Sequence, residues 1–258
     1  MTAQKIDLNA DMGESFGAYS MGNDAAMLGI VSSANIACGF HGGDPVVLTK
    51  TVALAGDNGV ALGAHPSFPD LQGFGRRKMH LSASELAACL TYQIGALQGI
   101  AAAQGQRVVH VKPHGALNNM ASVDLEMALT IARAIKALDP TLILMATAGS
   151  CLFQAGEQVG LPTAGEIFSD RTYQEDGTLT PRSQPDAMIH EPSQSVAQIL
   201  RFLEAGGIVT PSGAVIKTPI HSVCVHGDSQ GALAIAQSLR QELGAAGVTL
   251  CALQDALG

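Results

Sequence analysis

The chain has 258 residues, 47% hydrophobic and 14% charged, with a net charge of −8 and five cysteines. That is apolar material for one α/β barrel or two smaller domains, and no linker or charge block divides it, so one domain over 1–258 is expected. The acidic balance excludes a nucleic-acid surface, which needs clustered Lys and Arg. No apolar stretch reaches the ~20 residues of a membrane span.

The start lacks the basic-then-apolar order of a signal peptide, so the cytoplasm is the expected location. Cys38, Cys89, Cys151, Cys224 and Cys251 are scattered and odd in number, which reads as buried thiols and not as a disulfide framework or a CxxC metal site.

In chain order, strand-like runs alternate with helical patterns. Run 5–10 ends at Asp11 and Glu14, and run 33–39 leads to His41. Asp44-Pro45 then sets an N-cap and first helical residue, and Asn58-Gly59 stops that helix. Run 60–64 ends at His65. Ser82 and Glu85 stand at capping-box spacing and open a helix, lasting to Gly105, whose Leu86, Leu90, Ile94 and Leu97 share a face. Run 108–112 carries His110 and Lys112, and His114 follows. Helical spacing returns at Leu125, Ala128, Leu129 and Ala132, then at Val196, Ile199, Leu200 and Leu203, and finally at Ala232, Ile235, Ala236 and Leu239. Runs 142–147, 164–168 and 223–225 lie between, the last leading to His226 and Asp228. Residues 248–253 read as a strand or a frayed end.

About seven strand-helix repeats imply a parallel sheet. A closed or nearly closed (β/α) barrel is the expected α/β fold, with an open doubly wound sheet as the alternative. In both, the C-terminal strand ends share one face, where sites are built.

Asp11 and Glu14 each suit a general base, a metal ligand or a loop-ordering acceptor. Lys112 near His114 combines a cation for a phosphate or oxyanion with a proton-carrying imidazole; the competing reading is a lysine paired with an acid. Asp11, His65 and His114 would also serve a divalent metal, although no HExxH or compact zinc box is present. His110 alternates with Val109 and Val111 and points toward a barrel interior, while His80, His190 and His221 are expected at the periphery. Gly39, Gly42 and Gly43 suit a tight turn or close approach to a ligand around His41. Neither a P-loop nor a dinucleotide fingerprint occurs.

Three segments are long and polar enough to suggest function: 66–80 with Asp70, Arg76 and Arg77; 169–189 with Asp170, Arg171, Asp176 and Arg182; and 206–221 with Lys217. Arginines concentrated in two loops of an acidic chain point to an anionic ligand, the alternative being pairs with Asp70, Asp170 or Asp176 that hold the loops.

Six motifs, DLNADMGE (7–14), ANIACGFHGGD (34–44), GAHPSFPDLQGFGRR (63–77), VKPHGAL (111–117), EIFSDR (166–171) and VHGD (225–228), resemble those of the LamB/YcsF family, in its order and over nearly the whole chain. Two departures are Asn118, where relatives often carry Tyr, and Gly42, where Ala is frequent. The resemblance implies a barrel related to glycoside hydrolase and deacetylase barrels. It also implies a part in ATP-dependent opening of the lactam 5-oxoproline to L-glutamate, with release of ADP and phosphate, alongside 5-oxoprolinase subunits B and C.

ATP is then a co-substrate of the assembly, bound on this chain, on partners or between them. A divalent metal and a homo-oligomer stay open. Against that reaction, Asp11, with Glu14 second, is expected to activate water, and His114 or His65 to protonate the ring nitrogen. Lys112, Arg171 and Arg182 are expected to hold phosphates or the substrate carboxylate, Asn35 to fix the amide edge, and His41, His226 and Asp228 to bind substrate or phosphate. A metal-dependent amidohydrolase or deacetylase, and a non-catalytic binding protein, are the competing readings.

Overall fold

Short runs of apolar and small residues pair in chain order. In the computed structural model, which describes residues 4–226 and 231–258, six parallel strands are neighbours: β1 (Lys5–Met12), β2 (Ser33–Ala37), β3 (Ala61–His65), β4 (Val108–Val111), β5 (Ile143–Thr147) and β6 (Thr163–Phe168). The chain then makes an antiparallel hairpin, β7 (Gly207–Val209) with β8 (Val215–Lys217), and returns as β9 (Ser222–Val225), which pairs in parallel with both β6 and β1. The β1–β9 pairing closes a seven-stranded barrel, which rules out the open sheet. β10 (Thr249–Leu250) pairs only with the first two residues of β1. Asp228 lies outside the described residues.

Helices fill the connections: α1 (Asp24–Leu28), α2 (Pro45–Asp57), α3 (Ala83–Ala102), α4 (Gly115–Ala121), α5 (Leu125–Leu138), α6 (Cys151–Val159), α7 (Pro192–Ala205), α8 (Ala232–Ala245) and α9 (Leu253–Ala256). Their caps follow from sequence. Asp44 accepts from the Val46 and Val47 amides ahead of α2, and Ser82 and Glu85 complete the capping box of α3. The segment 206–221, expected as a functional loop, is instead the β7–β8 hairpin, and Lys217 donates to the Ala205 carbonyl at 2.6 Å.

The two-residue strand period sorts side chains between two environments. On β1, Ile6, Leu8, Ala10 and Met12 join an apolar cluster that includes Leu90, Ile94 and Leu97 of α3. Each of the larger ones, such as Ile6, Leu8 and Met12, contributes roughly 1.5–3 kcal/mol by leaving water. Asp7, Asn9 and Asp11 alternate with them and point into the barrel, where a TIM-type barrel normally stacks branched aliphatics.

This lumen is polar. Ser32, Ser33 and Ser222 hydroxyls donate to Asp7, whose carboxyl burial pushes up to about 6. His110 faces inward, as its alternation predicted, and donates from Nε2 to Asn35 Oδ1 at 2.7 Å; burial lowers its pKa to about 3. A Cβ on Gly63 would stand 1.9 Å from that Nε2, so only glycine leaves room for the ring.

Candidate active site

At the C-terminal end of the strands the barrel opens into a cavity of about 770 Å³, a volume typical of small-molecule sites. Asp11, Glu14, His65, Lys112, His114 and His226 line it. The strand ends bring these six residues together because the strands run parallel.

Lys112 Nζ lies 2.8 Å from Glu166 Oε1, 3.0 Å from Asp11 Oδ1, 3.2 Å from Cys224 Sγ and 3.3 Å from Asn9 Oδ1. An ammonium has three N–H groups, so the lumen uses all of them. Burial works against its charge, but Asp11 and Glu166 outweigh that and hold the pKa well above the usual lysine range. Lys112 is thus paired with two carboxylates, and its N–H groups are directed to partners within the lumen. Asp11 shows the reciprocal effect: burial favours its neutral form, but His65 and Lys112 prevail and keep the carboxyl well below its ordinary range.

Two imidazoles are fixed by backbone. His65 Nδ1–H donates to the Lys112 carbonyl at 2.6 Å, and His114 Nε2–H donates to the Phe74 carbonyl at 2.9 Å. Carbonyls only accept, so both N–H positions are set. The opposite nitrogens, His65 Nε2 and His114 Nδ1, face each other at 3.0 Å. Asp11 Oδ2 is 3.3 Å from the first and Glu14 Oε1 is 3.6 Å from the second.

His41 stacks on His114 with centroids 3.8 Å apart, and its Nε2 is 3.1 Å from Glu14 Oε1. Burial, reinforced by neighbouring imidazoles, holds His41 and His114 well below the usual histidine range. Glu14 is raised, first by burial and then by the charge of Asp11.

The loop over these histidines is shaped for that task. Phe74, whose carbonyl orients His114, is the one non-glycine residue with positive φ among the described residues, at 54°. Gly75 follows at +62°, where a Cβ would collide with Ser67 and His114. Backbone strain at such positions persists only where surrounding contacts enforce it. Arg77 pairs with Asp70 and holds the loop, whereas Arg76 lines the cavity.

Across the cavity, His226 Nδ1–H donates to Asp170 Oδ2 at 2.7 Å. Burial opposes the imidazolium, but Asp170 overrides it and raises the histidine pKa. Arg171 lines the cavity, is buried, and spends Nε and Nη2 on the Ala187 and Thr180 carbonyls. Arg182 lines the mouth and is exposed. Asn118 stands in the wall and donates to Thr147 Oγ1 at 3.3 Å.

Asn35, expected at a substrate amide, is fully buried below the cavity and donates to Asn9 and Asp11. Sequence reasoning passed over Asn9, Glu166 and Cys224. A signal existed for Glu166: a charge in the middle of the otherwise apolar run 163–168 must be paired if that strand is buried.

Glu14, His41, His65 and His114 present four ligand atoms that all lie within 4.8 Å of one another. With His65 and His114 anchored by carbonyls through their other nitrogens, the set suits a divalent cation.

The LamB/YcsF family model matches residues 6–258. The chain belongs to the LamB/YcsF family. Among LamB/YcsF relatives, the 5-oxoprolinase A subunit of Azoarcus sp. (strain BH72) is 56% identical over 97% of this chain and 98% of its own length. The Bacillus subtilis (strain 168) protein of the same name is 52% identical with the same coverage. The crystal structure of a lactam utilization protein from Thermus thermophilus matches with TM-score 0.90 and 44% identity, covering 96% of this chain and 99% of that one. The catalytic domain of a peptidoglycan N-acetylglucosamine deacetylase from Eubacterium rectale shares the fold alone, with TM-score 0.52 and 10% identity over 98% of this chain and 90% of that one. The barrel expected from sequence is thus the fold of these neighbours. No helix among the described residues is long and apolar enough to cross a membrane.

Proposed function

We propose that this chain is the A subunit of a 5-oxoprolinase and carries the lactam-opening site of a cytoplasmic assembly with subunits B and C. The reading is carried by the cavity floor, where an ionised Asp11, a raised Glu14 and the Asp170–His226 pair converge. The full-length likeness to proteins named as the A subunit of 5-oxoprolinase supports it.

A five-membered lactam is a resonance-stabilised amide. Phosphorylation of its oxygen by ATP yields ADP and an activated carbon. Water adds there, the C–N bond breaks as the nitrogen takes a proton, and the resulting acyl phosphate is hydrolysed by a second water to glutamate and phosphate.

Glu14 suits the base on water better than Asp11, because a carboxylate held well below its usual pKa is a weak base, whereas a raised one approaches the optimum. His226 suits the proton donor better than His65 or His114. Asp170 favours its charged form, and its Nε2 is not engaged by Asp170. Arg76 and Arg182 are the cations at the cavity for the substrate carboxylate or phosphate.

The deciding experiment reconstitutes the three subunits and measures 5-oxoproline-dependent ADP and glutamate formation, omitting each in turn. Loss of glutamate without this chain is expected, as is a kcat loss of about 10²–10⁴-fold in Glu14→Gln. Full turnover without the chain overturns the reading.

The cluster of Glu14, His41, His65 and His114 favours a second reading, in which these residues hold a divalent ion that acidifies a bound water. Metal analysis of purified protein, then chelation, tests it: undiminished turnover of metal-free protein removes it.

A further inference from the structure

We infer that Glu166 is a positioning residue, fixing Lys112 and Asn9 from inside the barrel and, through them, the place of Asp11 on the cavity floor. The inference rests on the lactam-opening reading of that cavity.

Glu166 sits on β6 at 1% exposure and is absent from the cavity wall, so it does not touch substrate. Its Oε1 receives Lys112 Nζ at 2.8 Å and Asn9 Nδ2 at 2.9 Å. Asn9 also donates to Ser222 Oγ at 2.7 Å, while its Oδ1 accepts from Asn35 at 2.6 Å. Two donors on one side and an acceptor on the other prevent the Asn9 amide from flipping. Asn35 is fixed in turn, since its Oδ1 accepts from His110 and its Nδ2 reaches Asp11 Oδ1 at 2.9 Å.

Asp11 Oδ1 therefore receives Asn35 and Lys112, and Oδ2 is left to face His65. Glu166 closes this chain of bonds at its far end. Lys112 stands between two carboxylates, so removing the Glu166 charge leaves Asp11 as the carboxylate that holds the ammonium and slackens the tether that sets the separation of Asp11 from His65.

The test is steady-state kinetics of the reconstituted complex with Glu166→Gln and Glu166→Asp. Gln keeps length and an acceptor but removes charge; Asp keeps charge but retracts it. A kcat loss of about 10–100-fold in Glu166→Gln is expected, as for other residues that orient a side chain of the site, here the carboxylate that faces His65. The KM for 5-oxoproline should stay within about twofold, the signature of an interaction realised in the transition state. Glu166→Asp should fall between the two. A folded Glu166→Gln with wild-type kcat, or a loss confined to KM, overturns the inference. If that variant fails to fold, wild-type kcat in Glu166→Asp overturns it instead. An assembly that turns over without this chain overturns both readings, whereas an assembly that needs the chain but ignores Glu166 overturns this one alone.

Discussion

On the outside of the barrel wall, Leu8 and Ile36 pack in an aliphatic cluster with the helices; on the inside of the same two strands, Asn9 and Asn35 share a 2.6 Å hydrogen bond. The outer face gains its free energy from apolar burial, which tolerates small shifts. The inner face gains little net stability, because desolvating its charges offsets their attraction. What it supplies is geometry. A period of two lets β1 serve both faces, so residues one apart in sequence hold the fold together or aim the site.

The sharpest way to break this comparison is Lys112→Met. It leaves Glu166 a buried carboxylate without its cation and Asp11 with only Asn35 and His65 beside it, and a loss of about 3–5 kcal/mol is expected in urea denaturation. A loss below about 1 kcal/mol would mean that the lumen is not an interdependent charge network.

On the outer face, Leu90→Ala removes a fully buried side chain of α3 and should cost roughly 3–4 kcal/mol, while the kcat of the folded fraction stays unchanged. A fall in kcat per folded molecule would show that the two faces are not separable.

Asp7 supplies a pH test. Its folded pKa, about 6, lies above the ordinary 3.8. Between these values the folded state binds the extra proton, so this contribution is full below about pH 4 and is lost as pH rises through about 6. Comparing the wild-type protein with Asp7→Asn cancels the other acids. The wild-type protein should lose about 2–3 kcal/mol relative to the variant between pH 4 and pH 7, read from paired denaturation curves. A constant difference across that window would place Asp7 outside the network.

The smallest effect is expected on the cavity's outer loop, where Arg77→Ala removes an ion pair whose arginine side chain is 63% exposed. Asp70 is itself buried but keeps the Gly73 and Arg77 amides as donors, and pairs with one exposed partner contribute little, so the thermal midpoint should move less than in any variant above in a melting scan.

The strands, the caps at Asp44 and Ser82, and the strand-end positions of Asp11, His65 and Lys112 were legible because each is written in a few adjacent residues. Helices α4 and α6 were harder to read, since each is short and carries a glycine, at Gly115 and Gly156, that weakens the helical signal. The hairpin β7–β8 passed for a loop because its strands have three residues each.

The roles of Asn9, Glu166 and Ser222 were invisible for a different reason. Their bonds span 157 and 213 residues of sequence and exist only once the barrel has closed. Arg171 was expected to bind an anion, and the fold adds what the sequence did not show: it lines the cavity while tying two carbonyls of its own loop.

The seam between β1 and β9 also dictates a timetable. The first strand, complete by Met12, cannot meet its closing partner until residues 222–225 have left the ribosome. Through most of synthesis its inward carboxylates and amides lack their partners on β9, and contacts of such high sequence separation form slowly. The cavity floor is thus completed last, so a chain truncated before β9 would lack a closed site.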